Sequence, residues 1–197
     1  MLKLRDLFMR KIELMKKLTR KETADFLLHD CGLLAELMKY GKVHPIGSYR
    51  MDMMAWNDLD LDVENDDMSL EKLHCLTSFI LKKFQPVWYE AKEEIASDGK
   101  TVWFHGFETM ITGQLWNVDI WFFDKAKIED AVEYCDSIAQ RATPEQKQQI
   151  VAIKQELIRR GLYSFEAYRS VDVYRAVTEL GITTPARFLS EYHIQRD

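Results

Sequence analysis

Apolar positions fall at helical spacing over residues 2–18, where Leu4, Leu7, Phe8, Ile12, Met15 and Leu18 predict an amphipathic helix. Thr19-Arg20-Lys21-Glu22 has the form of a capping box, and it predicts a second helix carrying Phe26, Leu27, Leu34 and Met38 and ending at Gly41. A short extended segment, Val43 to Ile46, then runs into Gly47-Ser48. Residues Leu59 to Val63 alternate apolar and acidic, the period of a strand with one buried face. Helical spacing returns over 69–84 through Leu70, Leu73, Leu76, Ile80 and Phe84. Three strand-like runs follow (87–95, 101–111 and 115–123), with turns at Asp98-Gly99 and Thr112-Gly113. From there the pattern is helical: Thr143-Pro144 supplies an N-cap and first-turn proline, Gly161 and Gly181 supply stops, and Thr184-Pro185 starts a last short helix.

This order predicts an α+β fold, a small mixed or antiparallel sheet with helices on one side and a C-terminal helical extension. The division expected is a core over 1–124 and a helical segment over 125–197. No repeat or low-complexity stretch interrupts it.

Composition narrows the class. The chain has 197 residues, 47% of them hydrophobic and 30% charged, enough for a sizeable core. Its net charge of -5 argues against a surface that tracks a long phosphate backbone, though not against a small nucleotide. Cys31, Cys75 and Cys135 lie far apart and are odd in number, which favours reduced thiols over a disulfide framework. No uninterrupted apolar run has the length of a membrane span or the form of a signal peptide, so the expectation is a cytoplasmic protein with no membrane partner.

The informative stretch runs from Gly47-Ser48 through Arg50 to Asp58-Leu59-Asp60-Leu61-Asp62. Residues i and i+2 of a strand point the same way about 6.6 Å apart, so Asp58 and Asp60 can converge on divalent ions while Leu59, Leu61 and Val63 anchor the other face. Hard Mg²⁺ prefers carboxylate and phosphate oxygens. A small Gly-Ser turn lets backbone amides and a hydroxyl approach a phosphate, and Arg50 can add a cation. Asp60-Leu61-Asp62 serves the same geometry in a second register, in which Asp62 is a ligand; otherwise Asp62 is a base candidate. A solvated edge strand explains three acids as well. A calcium loop does not, because its glycine and glutamate positions hold Val63 and Ser69.

A glycine-serine pair, a spacer of about ten residues and an Asp-hydrophobic-Asp-hydrophobic run resemble the signature of the DNA-polymerase-beta-like nucleotidyltransferases. The likeness covers Ile46 to Phe123, and the three-aspartate run is similar to that of the small lincosamide and aminoglycoside nucleotidyltransferases. It departs in lacking a spacer glycine and in placing Asn57 before the first aspartate. The resemblance implies a third carboxylate on a later strand, a place that Asp119 takes. It implies catalysis by Asp58, Asp60 and Asp119 holding two Mg²⁺ ions, with Gly47, Ser48 and Arg50 binding the nucleotide. It also implies an NTP substrate and NMP transfer to a hydroxyl of a small molecule or protein, with the acceptor shaped by the helical tail. The other reading left open is a catalytically inactive nucleotide-binding or antitoxin-like, partner-binding protein of the same fold. The five histidines show no ligand spacing, and the aromatic-rich strands read first as core.

Overall fold

The computed structural model describes residues 18–96, 98–164 and 166–193, so the helix expected over 2–18 lies, but for its last residue, outside the described residues. Thr19 caps α1 (Arg20–Asp25) with the reciprocal Thr19/Glu22 box that the sequence predicts. The single helix expected from there to Gly41 is instead broken. A π turn over Phe26–Asp30 leads to Gly32, whose left-handed backbone (φ 82°) starts a separate α2 (Leu33–Leu37). The break turns Leu27, Leu28, Leu33 and Leu37 into the core and leaves Met38, expected on the apolar stripe, 64% exposed. One straight helix could not bury both pairs.

The sheet has five strands: β1 (Lys42–Pro45), β2 (Asp58–Glu64), β3 (Trp88–Ile95), β4 (Thr101–Ile111) and β5 (Gln114–Phe123), in the order β1-β2-β5-β4-β3. β2 and β5 are parallel and the other neighbours antiparallel, so the sheet is mixed. The four-residue helix α3 (Gly47–Arg50) follows β1, and α4 (Leu70–Phe84) connects β2 to β3. β4 and β5 form a hairpin whose two turn residues, Thr112 and Gly113, both have positive φ (55° and 82°). That handedness matches the twist of the strands it joins.

Strand alternation divides the sheet into two faces. Leu59, Leu61 and Val63 of β2, Trp116, Val118, Ile120 and Phe122 of β5, and Trp103 and Phe107 of β4 meet α1, α2 and α4 in the main core. From α4 this core takes Leu73, Leu76, Ile80 and Phe84, each such side chain stabilising by about 1.5–3 kcal/mol when fully buried. The opposite face carries the acidic residues.

The tail comprises α5 (Lys125–Arg141), α6 (Pro144–Arg159), α7 (Ser170–Thr178) and α8 (Pro185–Glu191). Thr143 caps α6 with Pro144 in its first turn, and Gly161 and Gly181 take positive φ beyond α6 and α7, as the sequence predicts. Ile150, Ile153, Leu157, Val173, Val177 and Phe188 form a second core, joined by Met51 and Met53 from the loop after α3. Those two methionines bind the tail to the segment that precedes β2. No described helix is long and apolar enough to cross a membrane.

Candidate active site

Parallel pairing of β2 with β5 sets Asp60 beside Asp119 and Asp58 beside Asn117. Alternation turns all four side chains to the face away from the main core. One carboxylate oxygen each from Asp58, Asp60 and Asp119 lies within 4.8 Å of the others. Asn117 donates its side-chain amide to Asp58 Oδ1 at 2.9 Å and so fixes the first carboxylate. Asn57, the irregular position of the motif, donates to the Leu115 carbonyl at 3.0 Å and to Gln114 Oε1 at 3.2 Å, tying the start of β2 to the β4–β5 turn.

Gly47 has φ 60°, a conformation costly for any side chain, and a Cβ there would stand 2.4 Å from Asp60 Oδ2. Glycine is therefore needed twice, for the turn and for its approach to the carboxylate. The Ile46 amide donates to the Asp60 carbonyl at 3.1 Å and locks the turn against β2. Ser48 is buried, and its hydroxyl has no hydrogen-bond partner. From the far side Tyr49 donates its hydroxyl to Asp25 at 2.5 Å and receives Lys21 over its ring, so α1 braces α3.

Electrostatically the cluster calls for a cation. Burial, and then the neighbouring charge of Asp119, push the Asp58 carboxyl up to about 6 against the relief given by Asn117. Burial and the charges of Asp58 and Asp119 hold Asp60 well above the ordinary carboxylate range. Asp119 is raised by burial and by the charge of Glu90.

Of the two aspartate registers, the carboxylates that cluster closely enough to hold a metal ion are those of Asp58, Asp60 and Asp119. Asp62 lies outside the cluster, almost fully buried, with Oδ1 unpartnered and its pKa raised by burial to about 7. Arg50 is engaged elsewhere. Its guanidinium donates to both oxygens of Asp136 on α5, at 2.8 and 2.9 Å, and to the Pro45 carbonyl at 3.4 Å.

The buried cation near the acids is one that the sequence reading passed over. Lys154 of α6 is 2% exposed and stands over the rings of Tyr163 and Tyr174, at 5.4 and 5.6 Å from their centroids. Burial lowers its pKa, while the charges of Asp58 and Asp60 act the other way. Its signal was present in the spacing: Lys154 sits on the apolar stripe Ile150, Ile153, Leu157, where a lysine has no reason to be unless an acid awaits it. Beside it opens a cavity of about 570 Å³ lined by Trp56, Tyr163, Tyr168, Arg169, Ser170 and Val171. Trp56 comes two residues before Asp58, and Tyr163, hydrogen-bonded to Ser170, feels the charges of Asp58 and Asp60.

No protein-family model and no curated protein matches the sequence. Solved structures do match in fold. A Cid1 poly(U) polymerase bound to MgATP superposes with a TM-score of 0.59 at 16% identity, over 80% of this chain and 49% of that one. A cytoplasmic RNA terminal U-transferase gives 0.56 at 16% identity, over 90% and 55%. The GLD-2–GLD-3 poly(A) polymerase complex gives 0.55 at 14% identity, over 95% and 65%. The chain thus spans about half to two thirds of the solved chains it resembles. The chain therefore shares the fold of these polymerases and transferases.

Proposed function

We propose that this chain is a metal-dependent nucleotidyltransferase that moves an NMP from an NTP to an acceptor hydroxyl. The observation that carries the reading is the convergence of Asp58, Asp60 and Asp119 beside the Gly47-Ser48 turn. The donor set fits Mg²⁺. It is three carboxylates, oxygen only, each destabilised as an anion by burial, on rigid strands. In this reading the triad holds two ions, which when bound supply neutralisation of the triphosphate and acidify the acceptor hydroxyl.

The remaining work falls to the chain's own groups. The Gly47 turn offers backbone amides to the β- and γ-phosphates, and the unpaired Ser48 hydroxyl gains a phosphate oxygen as partner. Lys154 takes the cationic contact expected of Arg50, which is committed to Asp136. The cavity between Trp56 and Tyr168 has the volume and aromatic lining of a nucleobase site. The acceptor oxygen bonds to the α-phosphorus as the bond from that phosphorus to the bridging oxygen breaks. Pyrophosphate leaves, and the hydroxyl proton passes to a carboxylate or to water. Positioning and charge do most of what such a reaction needs.

Asp58→Asn and Asp60→Asn should each abolish Mg²⁺-dependent pyrophosphate release from NTP while leaving the fold intact by circular dichroism. Turnover at wild-type rates in both variants sinks the mechanism. The departures at Asn57 and in the spacer keep a second reading in view, a nucleotide-binding or partner-binding protein without turnover. Calorimetry with the four NTPs separates the two: binding that ignores Mg²⁺, or no binding, favours the second. The solved structures of similar fold are a poly(U) polymerase, a poly(A) polymerase complex and an RNA terminal U-transferase, which makes an RNA 3′-hydroxyl an acceptor to be tested beside small molecules.

A further inference from the structure

The sheet ends on β3, and among the described residues no strand pairs with its outer edge. Every residue of β3 is exposed or half-buried, whereas the neighbouring β4 is mostly buried. The direction of the main chain along this edge follows from the β3–β4 ladder. That ladder pairs Ile95 with Thr101, and it continues in the bond from the Ala96 amide to the Lys100 carbonyl at 2.8 Å. Bonded and non-bonded residues alternate in an antiparallel pair, so Trp88, Glu90, Lys92 and Glu94 bond to β4 as Ala96 does. Tyr89, Ala91, Glu93 and Ile95 turn their N–H and C=O groups outward, where they form a template for another strand. The template stops at Val87, whose amide turns back to the Glu108 carbonyl at 2.8 Å.

Charge is the usual protection of such an edge, and β3 carries Glu90, Lys92, Glu93 and Glu94. Their order nevertheless suits one partner, a second copy of the same strand running antiparallel. Outward residues must lie opposite outward residues, so the second copy can be moved only in steps of two. With Ala91 opposite Ala91, Glu90 of each copy faces Lys92 of the other, Glu93 faces Tyr89, and Glu94 faces Trp88. No carboxylate then directly opposes another. The same position brings Ile95, 71% exposed, toward Val87 of the other copy, 65% exposed. A step one way sets Glu90 against Glu90. A step the other way sets Lys92 against Lys92 and Glu90 against Glu94. Opposite charges stabilise a strand pair and like charges destabilise it, so a single register is selected.

We propose that β3 is a self-association edge, at which two copies of this chain join into one continuous sheet with Ala91 on the two-fold axis. Directly opposed side chains share a face, so the carboxylate clusters of both copies lie on the same side of that sheet. An isologous contact of this kind closes at two copies. Strand pairing alone falls short of the roughly 1,600 Å² of a standard interface, which sets the expected dissociation constant at about 10–100 μM. The association does not depend on the chemistry of the carboxylate cluster.

The experiment is sedimentation equilibrium of the full chain, at concentrations spanning that constant tenfold on either side. Wild type should pass from monomer to dimer. Ala91→Pro removes an outward amide and no bond to β4, and should weaken association at least tenfold with the circular dichroism unchanged. Glu90→Lys and Lys92→Glu should each do the same alone. An equimolar mixture of those two variants should recover the dimer, because every pair of positions 90 and 92 is then opposite in charge, and the chain carrying both changes should recover it too. If Ala91→Pro fails to fold, the charge variants and their mixture still decide the matter. Wild-type monomers throughout the range would leave the edge to a strand of some other chain and overturn the proposal. Assemblies larger than two, a dimer indifferent to the charge variants, or a mixture that stays monomeric would overturn it equally.

Discussion

His105 shows what burial does to a titratable side chain in this sheet. It is fully buried on the core face, its Nδ1 paired at 2.8 Å with the Tyr89 hydroxyl, which meets Thr77 Oγ1 at 2.7 Å, and its Nε2 has no partner. Burial pulls its pKa down to about 4 from the ordinary imidazole value. A depressed histidine pKa means the unfolded chain takes the proton first, so the stability His105 contributes is present above about 6.5 and is lost as pH falls toward 4. The shift corresponds to about 3 kcal/mol. In urea titrations His105→Phe should therefore lose less stability than wild type between pH 7 and pH 4; an identical slope would show that His105 is protonated in the native state. The alternation of β4 would let His105 be read as a surface or pocket-rim residue, and the structure corrects this by burying it fully in the core. Asp58 and Asp60 were legible because alternation and spacing are local, whereas Asp119 followed only from the family resemblance, its place beside Asp60 being made by the β2–β5 pairing. The fate of Arg50 was not legible, because its partner Asp136 lies 86 positions away and only the folded chain brings them together.

At the scale of elements, α3 and its turn are the part most sensitive to a single methyl group. Gly47→Ala must hold a positive φ and bring Cβ within 2.4 Å of Asp60 Oδ2, so the turn moves off β2. We expect a loss of about 1–3 kcal/mol by chemical denaturation, with a disproportionate loss of Mg²⁺–NTP affinity by calorimetry. Retention of both would mean the turn is not held as described. The strands, α4 and the caps at Thr19, Thr143 and Thr184 were legible, since period and cap chemistry are written within a few residues. The break at Gly32 was not. Its apolar residues continue a helical period across the glycine, and only the position of the sheet decides that Leu27 and Leu33 must both turn inward.

For the whole molecule, the main consequence is an acid cluster that folding assembles at an electrostatic cost. The raised carboxyl of Asp58 means its stabilising share is present below the ordinary carboxylate pKa and is lost as pH rises to about 6. Mg²⁺ binding to the native cluster opposes that loss. Adding Mg²⁺ should thus raise Tm more at pH 8 than at pH 5, and Asp60→Asn should abolish the difference; a Mg²⁺ effect independent of pH would dissociate the ion from these carboxylates. The tail's second core, with Met51 and Met53 in it, ties the same region to α6 and so to Lys154.

The β2–β5 pairing has a further consequence, in time rather than in space. Asp58 and its partner Asn117 are separated by 59 positions, and between them lie α4, β3 and β4. A ribosome that has released β2 has made two of the three acids but no site, and the chain stays chemically silent until β5 has emerged and inserted beside β2. Because β5 enters between β2 and β4, the sheet's interior closes last and the ligand set closes with it. Slow closure of such distant parallel pairs is general. On the proposed function, it means that nucleotide chemistry is withheld from every incompletely synthesised or partly folded form of the chain.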